Sequence, residues 1–262
     1  MKFCSLYSGS SGNSLFISCY GTSLLVDAGK NGKQIEKQLF EVGEDPHDLN
    51  GILITHEHSD HIAGAGVLSR RYHIPVYANF NTWEEIGDKI GKIAPENRII
   101  FENRIPFTLG EMQCLAFKTS HDAADSVGFS LTDGHHRICI ATDTGFVTDD
   151  LRENLPGSDL IYLESNHDIG MLETGSYPFY LKQRIKGARG HLSNDDAAAF
   201  AAELVRYGTD KLTLAHLSSE NNLPMLAHQT AVRVFSENGI VPGKDVSLEV
   251  APRSAPGQIH LL

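Results

Sequence analysis

Long apolar runs are missing from this sequence. Nothing approaches the roughly 20 consecutive apolar residues of a bilayer-spanning helix, which excludes a helical membrane protein. Basic residues are also short: 22 Lys plus Arg face 33 Asp plus Glu, a net charge of −11 over 262 residues with His neutral. A protein that coats DNA non-specifically needs a broad basic surface, so that class is disfavoured. A nucleic-acid enzyme with one local basic groove is not excluded. Cysteine is sparse: Cys4, Cys19, Cys114 and Cys139 form no CxxC pair, and a chain this long needs no disulfide to hold its core. Their expected role is packing, as reduced thiols. The first residues, MKFCSLYSGSSGNS, lack the apolar core of a secretion signal, so the expected location is cytoplasmic. Apolar content of 41% and charged content of 21% are ordinary for a folded protein.

Histidine, by contrast, is abundant, with 13 copies. Periodicity places His56, His121 and His216 just after predicted strands. Short apolar or alternating runs at Phe3–Tyr7, Leu15–Cys19 and Ser23–Val26 predict strands, separated by tight turns at Ser8–Ser14 and Tyr20-Gly21. Helices are expected over Lys33–Val42, Ile62–Tyr72 and Thr82–Ile90, with strands at Gly51–Ile54 and Val76-Tyr77. Further strands are expected near Arg98–Phe101, Met112–Lys118, Val127–Leu131, His136–Ala141, Leu160–Leu163, Lys211–Leu214, Asp245–Val250 and Gln258–Leu261. Helices are expected at Pro178–Lys186, Asn194–Tyr207 and Leu223–Asn238. Each half is thus a run of strands followed by helix–strand units, without a linker. That order suits two mixed sheets packed face to face with helices outside.

The sharpest feature is His56-Glu57-His58-Ser59-Asp60-His61, directly after the apolar strand Gly51–Ile54. His56 and His58 alternate, so in extended backbone they point the same way. Asp60 and His61 then turn into the next helix. Neutral imidazoles and a carboxylate suit Zn²⁺, and also Mn²⁺ or Fe²⁺. This HxHxDH pattern resembles the metallo-β-lactamase fold superfamily. His121, Asp143 and His216 each follow a predicted strand, in the order that family shows. The resemblance implies an α+β class fold, an αβ/βα four-layer sandwich with two mixed β-sheets flanked by helices, in one domain over residues 1–262. It also implies two divalent metal ions (Zn²⁺ or Mn²⁺), one held by His56, His58 and His121 and one by Asp60, His61 and His216, with Asp143 bridging. Such a pair activates a shared water as a metal-bridging hydroxide and clamps the attacking and leaving oxygens.

Within the superfamily, His58 stands where di-iron members tend to carry a carboxylate, which disfavours oxygen or NO reduction. Asp143 is an acidic bridge that true β-lactamases lack, which disfavours antibiotic hydrolysis. Glu164 and His191 lie where the tRNA-maturing nucleases of the superfamily carry a proton-shuttling pair. His191 would then serve the leaving oxygen, with Asp60, Glu164 and His191 as catalytic residues. For His191, a helix-start role beside a Ser193 or Asn194 cap stays open.

From Thr174 to Asn194 no acid occurs, while Lys182, Arg184, Lys186 and Arg189 contribute +4, leaving −15 for the rest of the chain. Tyr177, Phe179 and Tyr180 adjoin that run. Cations beside aromatics suit phosphate contacts and base stacking, although a solvated basic helix face reads the same way. Asn166 and His167, with Ser10, Ser11 and Asn13 of the SGSSGNS loop, complete the candidate substrate-binding residues. The loop's N–H groups suit a phosphate, or it is an ordinary hairpin. SGSSGNS, HEHSDH, ESNHD, GHLSNDDAA and HLSSENN together resemble the YycJ/WalJ-like (VicX) branch. That resemblance implies a 5′-to-3′ DNA exonuclease linked to repair. The residues alone reach a binuclear metal-dependent phosphodiesterase. A small-molecule hydrolase of thioesters, lactones or cyclic phosphodiesters uses the same ligand set, and a non-enzymatic binding module has no need of it. The expected partner is a nucleic acid, DNA foremost, and no membrane.

Overall fold

A computed structural model describes residues 1–262. The strands are β1 (Lys2–Tyr7), β2 (Ser14–Cys19), β3 (Thr22–Val26), β4 (Leu49–Leu53), β5 (Val76–Asn79), β6 (Arg98–Phe101), β7 (Phe107–Leu109), β8 (Met112–Lys118), β9 (Val127–Thr132), β10 (Arg137–Ala141), β11 (Leu160–Glu164), β12 (Lys211–Ala215), β13 (Ser247–Val250) and β14 (His260–Leu261). They form two seven-stranded sheets, ordered β14-β1-β2-β3-β4-β5-β6 and β13-β12-β11-β10-β9-β8-β7. Each sheet is mixed. It is antiparallel through its hairpins and parallel from β3 to β6 in one sheet and from β10 to β13 in the other. No helix is long and apolar enough to cross a membrane.

Alternation along the strands builds the layers. In β2, Leu15, Ile17 and Cys19 face the opposite sheet, as do Leu24 and Val26 of β3 and Met112, Cys114 and Ala116 of β8. The residues between them, Phe16, Leu25 and Phe117, turn outward under the helices. Both faces are buried, which is why these strands read as near-continuous apolar runs. Each fully buried large side chain contributes about 1.5–3 kcal/mol.

The helices are α1 (Gly32–Glu41), α2 (Ser59–Ile62), α3 (Ala65–Tyr72), α4 (Phe80–Ile86), α5 (Asp149–Asn154), α6 (Ile169–Thr174), α7 (Phe179–Lys186), α8 (Asn194–Arg206) and α9 (Pro224–Glu237). Ile35 and Leu39 of α1, Leu68 of α3 and Trp83 of α4 cover the first sheet. Ala197, Ala198 and Ala201 of α8 and Ala227 and Ala231 of α9 join the core over the second. The result is the four-layer sandwich the sequence led us to expect.

Several boundaries differ. The helix expected over Ile62–Tyr72 starts later, as α3 at Ala65, after a separate short α2 that ends at Ile62. The break falls at Gly64, where an added Cβ would lie 2.3 Å from the Lys30 carbonyl oxygen, so the chain makes way for a neighbouring loop. Helix α4 ends at Ile86 because Gly87 takes a positive φ of 46°. The strand expected over Asp245–Val250 begins at Ser247, and the one over Gln258–Leu261 keeps only its last pair. Short elements β7, α5 and α6 escaped the periodicity altogether.

Candidate active site

Strand register brings the expected residues to one end of the sandwich. Ala141 lies opposite Leu163, Leu163 opposite Leu214, and Glu164 opposite Ala215. Asp143, Glu164 and His216 therefore leave β10, β11 and β12 at one level. In the other sheet Val26 lies opposite Leu53, which sets Asp27 beside the segment 56–61. That segment is stitched down by backbone bonds from Asn13 N–H to Asp60 O and from Ala28 N–H to His61 O, each 2.8 Å. Only glycine fits at position 29 of this seam, since an added Cβ would lie 1.7 Å from the Asp60 carbonyl oxygen.

Hydrogen-bond partners assign the histidine tautomers. Asp27 accepts at Oδ1 from Thr55 N–H (2.9 Å) and at Oδ2 from the Thr55 hydroxyl (2.9 Å) and His61 Nδ1–H (2.7 Å). The Thr55 hydroxyl has thus given its proton to Asp27, so His56 Nδ1–H donates to it, at 3.0 Å. His121 Nδ1–H donates to the Gly190 carbonyl at 3.2 Å, and His216 Nδ1–H to Glu164 Oε1 at 2.9 Å. As neutral rings, all four therefore carry their proton on Nδ1 and turn a bare Nε2 inward. His58 offers its other nitrogen: its Nδ1 lies 3.1 Å from His56 Nε2. Outer partners that fix ring tautomer and orientation are what metal-ligating histidines have.

The donor atoms fall into clusters whose members lie within 4.8 Å of one another: His56, His58 and His121; Asp60, His61 and His216; and His56, His61 and Asp143, which places Asp143 between the first two. His61 Nε2 is 3.5 Å from Asp60 Oδ2 and 3.4 Å from Asp143 Oδ2. His216 Nε2 and Asp143 Oδ2 are buried without any hydrogen-bond partner. Buried orphaned acceptors are costly, and a divalent cation satisfies them together. The donor set therefore fits metal ions. Asp143, Glu164, His191 and His216 also lie this close, but there hydrogen bonds to Glu164 account for His191 and His216.

Glu164 is fully buried. Its Oε1 accepts from His191 Nδ1–H at 2.7 Å and from His216, and its Oε2 accepts from the backbone N–H of Thr144 (2.9 Å) and Leu192 (3.3 Å). Burial alone would raise its pKa, yet His191 and His216 carry it well below the usual carboxylate range. Burial would lower the pKa of His216, but Asp143, Asp60 and Glu164 raise it to about 10, so that ring takes a second proton, on Nε2, unless a cation stands there in its place. His56 has no such carboxylate excess, and burial drives its pKa far down. The ring of His191 stands 5.0 Å from His121 and 5.3 Å from His216, on the open side with 20% of its side chain exposed. Ser193 caps α8 through Asp196 N–H at 3.1 Å, and so fixes the chain just after His191. Asp27, Asp143 and His216 all have left-handed backbone, with φ of 62°, 57° and 55°.

The candidate substrate-binding residues fare differently. Asn13 is drawn into the cluster, its Nδ2 3.0 Å from His61 Nε2 and its Oδ1 accepting from Gly9 N–H at 2.9 Å. Ser10 and Ser11 are exposed at the loop tip, with Lys30 Nζ donating to Ser11 Oγ at 3.2 Å. Asn166 is buried and spends its amide on the His216 carbonyl at 2.9 Å, so it shapes the His216 loop. His167 is buried too, and burial lowers its pKa to about 4. The basic run is less free than its charge suggested. Lys182 donates to the carbonyls of Glu173 (2.8 Å) and Gly175 (2.7 Å), Lys186 pairs with Glu173 (3.0 Å), Arg184 pairs with Asp122 (2.5 Å) and Arg189 holds the His121 carbonyl (3.1 Å). What α7 leaves open is aromatic: Phe179 and Tyr180 are 76% and 74% exposed.

Asp27 and Thr55 escaped the sequence reading, although Asp27 ends an apolar strand just as Asp143 does. Its partner His61 lies 34 positions away, and only the parallel register of β3 and β4 joins them.

The β-lactamase superfamily domain matches residues 22–217 of this chain. Among curated relatives, "Exodeoxyribonuclease YycJ" of Bacillus anthracis is 38% identical over 260 residues, covering 99% of this chain and 98% of that protein. "Exodeoxyribonuclease WalJ" of Streptococcus pneumoniae is 40% identical over 257 residues, covering 97% and 96%. Among solved structures, the metallo-β-lactamase fold protein YhfI from Bacillus subtilis superposes with a TM-score of 0.71 at 21% identity, over 98% of this chain and 100% of that one; at that identity the likeness speaks for the fold alone.

Proposed function

Since the chain belongs to the β-lactamase superfamily and matches the YycJ/WalJ exodeoxyribonucleases over nearly its full length, we propose that it is a metal-dependent DNA exonuclease, cutting 5′-to-3′ as the resemblance implies. The observation that carries the phosphodiester reading is the Glu164–His191 pair, 2.7 Å apart, set directly beside the histidine–aspartate clusters. His56, His58 and His121 would hold one divalent ion and Asp60, His61 and His216 the other, with Asp143 between them. When bound, such ions supply Lewis acidity to the phosphate oxygens and lower the pKa of a water molecule. The ligand chemistry suits Zn²⁺ and Mn²⁺ alike.

The chain's own groups do the rest. Glu164 accepts from His191 Nδ1–H and so turns Nε2 toward the open side, where it donates a proton to the departing oxygen. Asp60 and Asp143 hold negative charge where the ions would sit, while Asp27 and Glu164 keep His61 and His216 aligned. Phe179 and Tyr180 offer faces on which bases stack, and Ser10, Ser11 and the α7 cations border the path of the strand. We read residues 1–262 as one domain, since both sheets supply the site. The four unpaired, buried cysteines are in keeping with a cytoplasmic place.

A cleavage assay on 5′- and 3′-labelled single- and double-stranded DNA and RNA, with Mn²⁺, Zn²⁺ or chelator, tests this. Metal-dependent release of nucleotides from a DNA end is expected. No cleavage of any polymer under any metal would overturn it in favour of a small-molecule hydrolase.

A further inference from the structure

Asp122 directly follows His121, and its two carboxylate oxygens have opposite surroundings. Oδ2 takes the Arg184 guanidinium, 2.5 Å from Nε. Oδ1 is buried and has no hydrogen-bond partner. It lies 3.4 Å from His121 Nε2. That nitrogen has no proton to give, because the ring's proton sits on Nδ1 toward Gly190. Two acceptors, Asp122 Oδ1 and His121 Nε2, thus face each other with no donor between them. A water-excluded oxygen in that state is unfavourable, and a divalent cation beside the His121 nitrogen is what relieves it.

From this we infer that Asp122 is a further metal-facing carboxylate of the site, and that through Arg184 it ties helix α7 to the metal centre. The inference rests on the divalent-metal reading above. Helix α7 has no buried residue of its own. The segment that carries it is held to the ligand loop by Arg184 on Asp122, by Arg189 on the His121 carbonyl (3.1 Å) and by Ser120 Oγ donating to the Ala188 carbonyl (2.8 Å). A cation that fixes Asp122 Oδ1 therefore stiffens the carboxylate on which Arg184 bears, and with it the helix that presents Phe179 and Tyr180. Metal loading and the ordering of the strand-binding face become one event.

The test is equilibrium titration of the full chain with Mn²⁺ alone and Zn²⁺ alone, paired with hydrogen exchange over residues 176–190. Asp122→Asn should weaken one ion by about 10–100-fold, the usual scale for losing a supporting group at a metal site. Asp122→Glu should restore part of that loss. Arg184→Met, which removes only the outer partner of that carboxylate, should weaken the same ion less than Asp122→Asn does. In the wild type, metal should slow exchange in α7; in Asp122→Asn and Arg184→Met it should not. Wild-type affinity for both ions in Asp122→Asn overturns the ligand assignment, and metal-independent exchange in the wild type overturns the tie to α7. A wild-type chain that takes up no divalent ion overturns the metal centre itself, together with this role for Asp122.

Discussion

His191 and His216 hang from a single oxygen atom: Glu164 Oε1 accepts from Nδ1 of the first at 2.7 Å and of the second at 2.9 Å. One carboxylate thus orients both a candidate proton donor and a candidate metal ligand. Glu164→Gln should therefore show two defects, a 10²–10⁴-fold fall in turnover, on the order of a lost acid–base group, and a roughly 10–100-fold weaker metal site. His191→Ala should show only the first. Metal titration beside kcat separates them, and a Glu164→Gln variant with unchanged metal affinity would refute the shared role.

His58→Ala and Asp60→Ala should each abolish metal-dependent turnover while the far-ultraviolet circular dichroism stays native. Both side chains lie at the cluster's open face, half-buried, so little core packing goes with them. Retained activity in both purified variants would sink the metal-site assignment.

Gly29→Ala probes the seam. Its new methyl group would collide with the Asp60 carbonyl, 1.7 Å away before relaxation. The ligand segment must shift, and a displacement of about 1 Å is enough to cost about 10²-fold in rate. Full activity in this variant would show that the 56–61 segment tolerates repositioning.

Phe179→Ala/Tyr180→Ala should weaken cleavage of DNA far more than cleavage of a small chromogenic phosphodiester. Stacking is worth about 1–3 kcal/mol per base, hence roughly 5–150-fold. These rings are a cleaner probe than reversing Lys182 and Arg184, which hold α6 and Asp122. Equal losses on both substrates would argue against base contacts.

Asp150 supplies a pH-dependent contribution remote from the histidines. It accepts from Arg104 (2.5 and 3.1 Å) and from Lys118 N–H (2.8 Å). Burial would raise its pKa, but these donors carry it below the usual carboxylate value. A depressed folded pKa stabilises above the unfolded value of about 4 and is lost as pH falls below it. Asp150→Asn should cost about 1–3 kcal/mol at pH 7, toward the low end because Arg104 is exposed to screening. The gap between thermal melts of the two proteins should narrow as pH falls below about 4. A constant gap across pH would show the loss to be steric.

The parts of the site legible in sequence were those that announce themselves locally. Four potential ligands crowd into His56–His61, and His121, Asp143 and His216 each close an apolar run. Glu164 could be read as a partner of His191, but not as a partner of His216, because that depends on Glu164 facing Ala215 across β11 and β12. Charge was the least transferable signal. The +4 between Thr174 and Asn194 looked like a free basic face. In space Glu173 and Asp122 fold back against it, and carbonyls of α6 and the His121 loop take much of the rest. Sequence distance hides such pairings because a run's own neighbours say nothing of what packs on it.

In the fold, periodicity found the strands of the two inner layers, where burial on both faces leaves an unbroken apolar mark. It failed where an element is shorter than its own period, as in β7 and α6, and where a neighbouring loop cuts a helix, as at Gly64.

Asp27, Asp143 and His216 sit in a backbone region where glycine rests easily and other residues do not. Each such residue holds the native state up by on the order of 1 kcal/mol. Exchanging His216 for glycine should thus relieve the turn after β12 even as it empties the site. That relief is smaller than the about 1–3 kcal/mol lost when buried Glu164 gives up the His216 donor, so the strained turn is kept by the same side chain that gives the site its ligand.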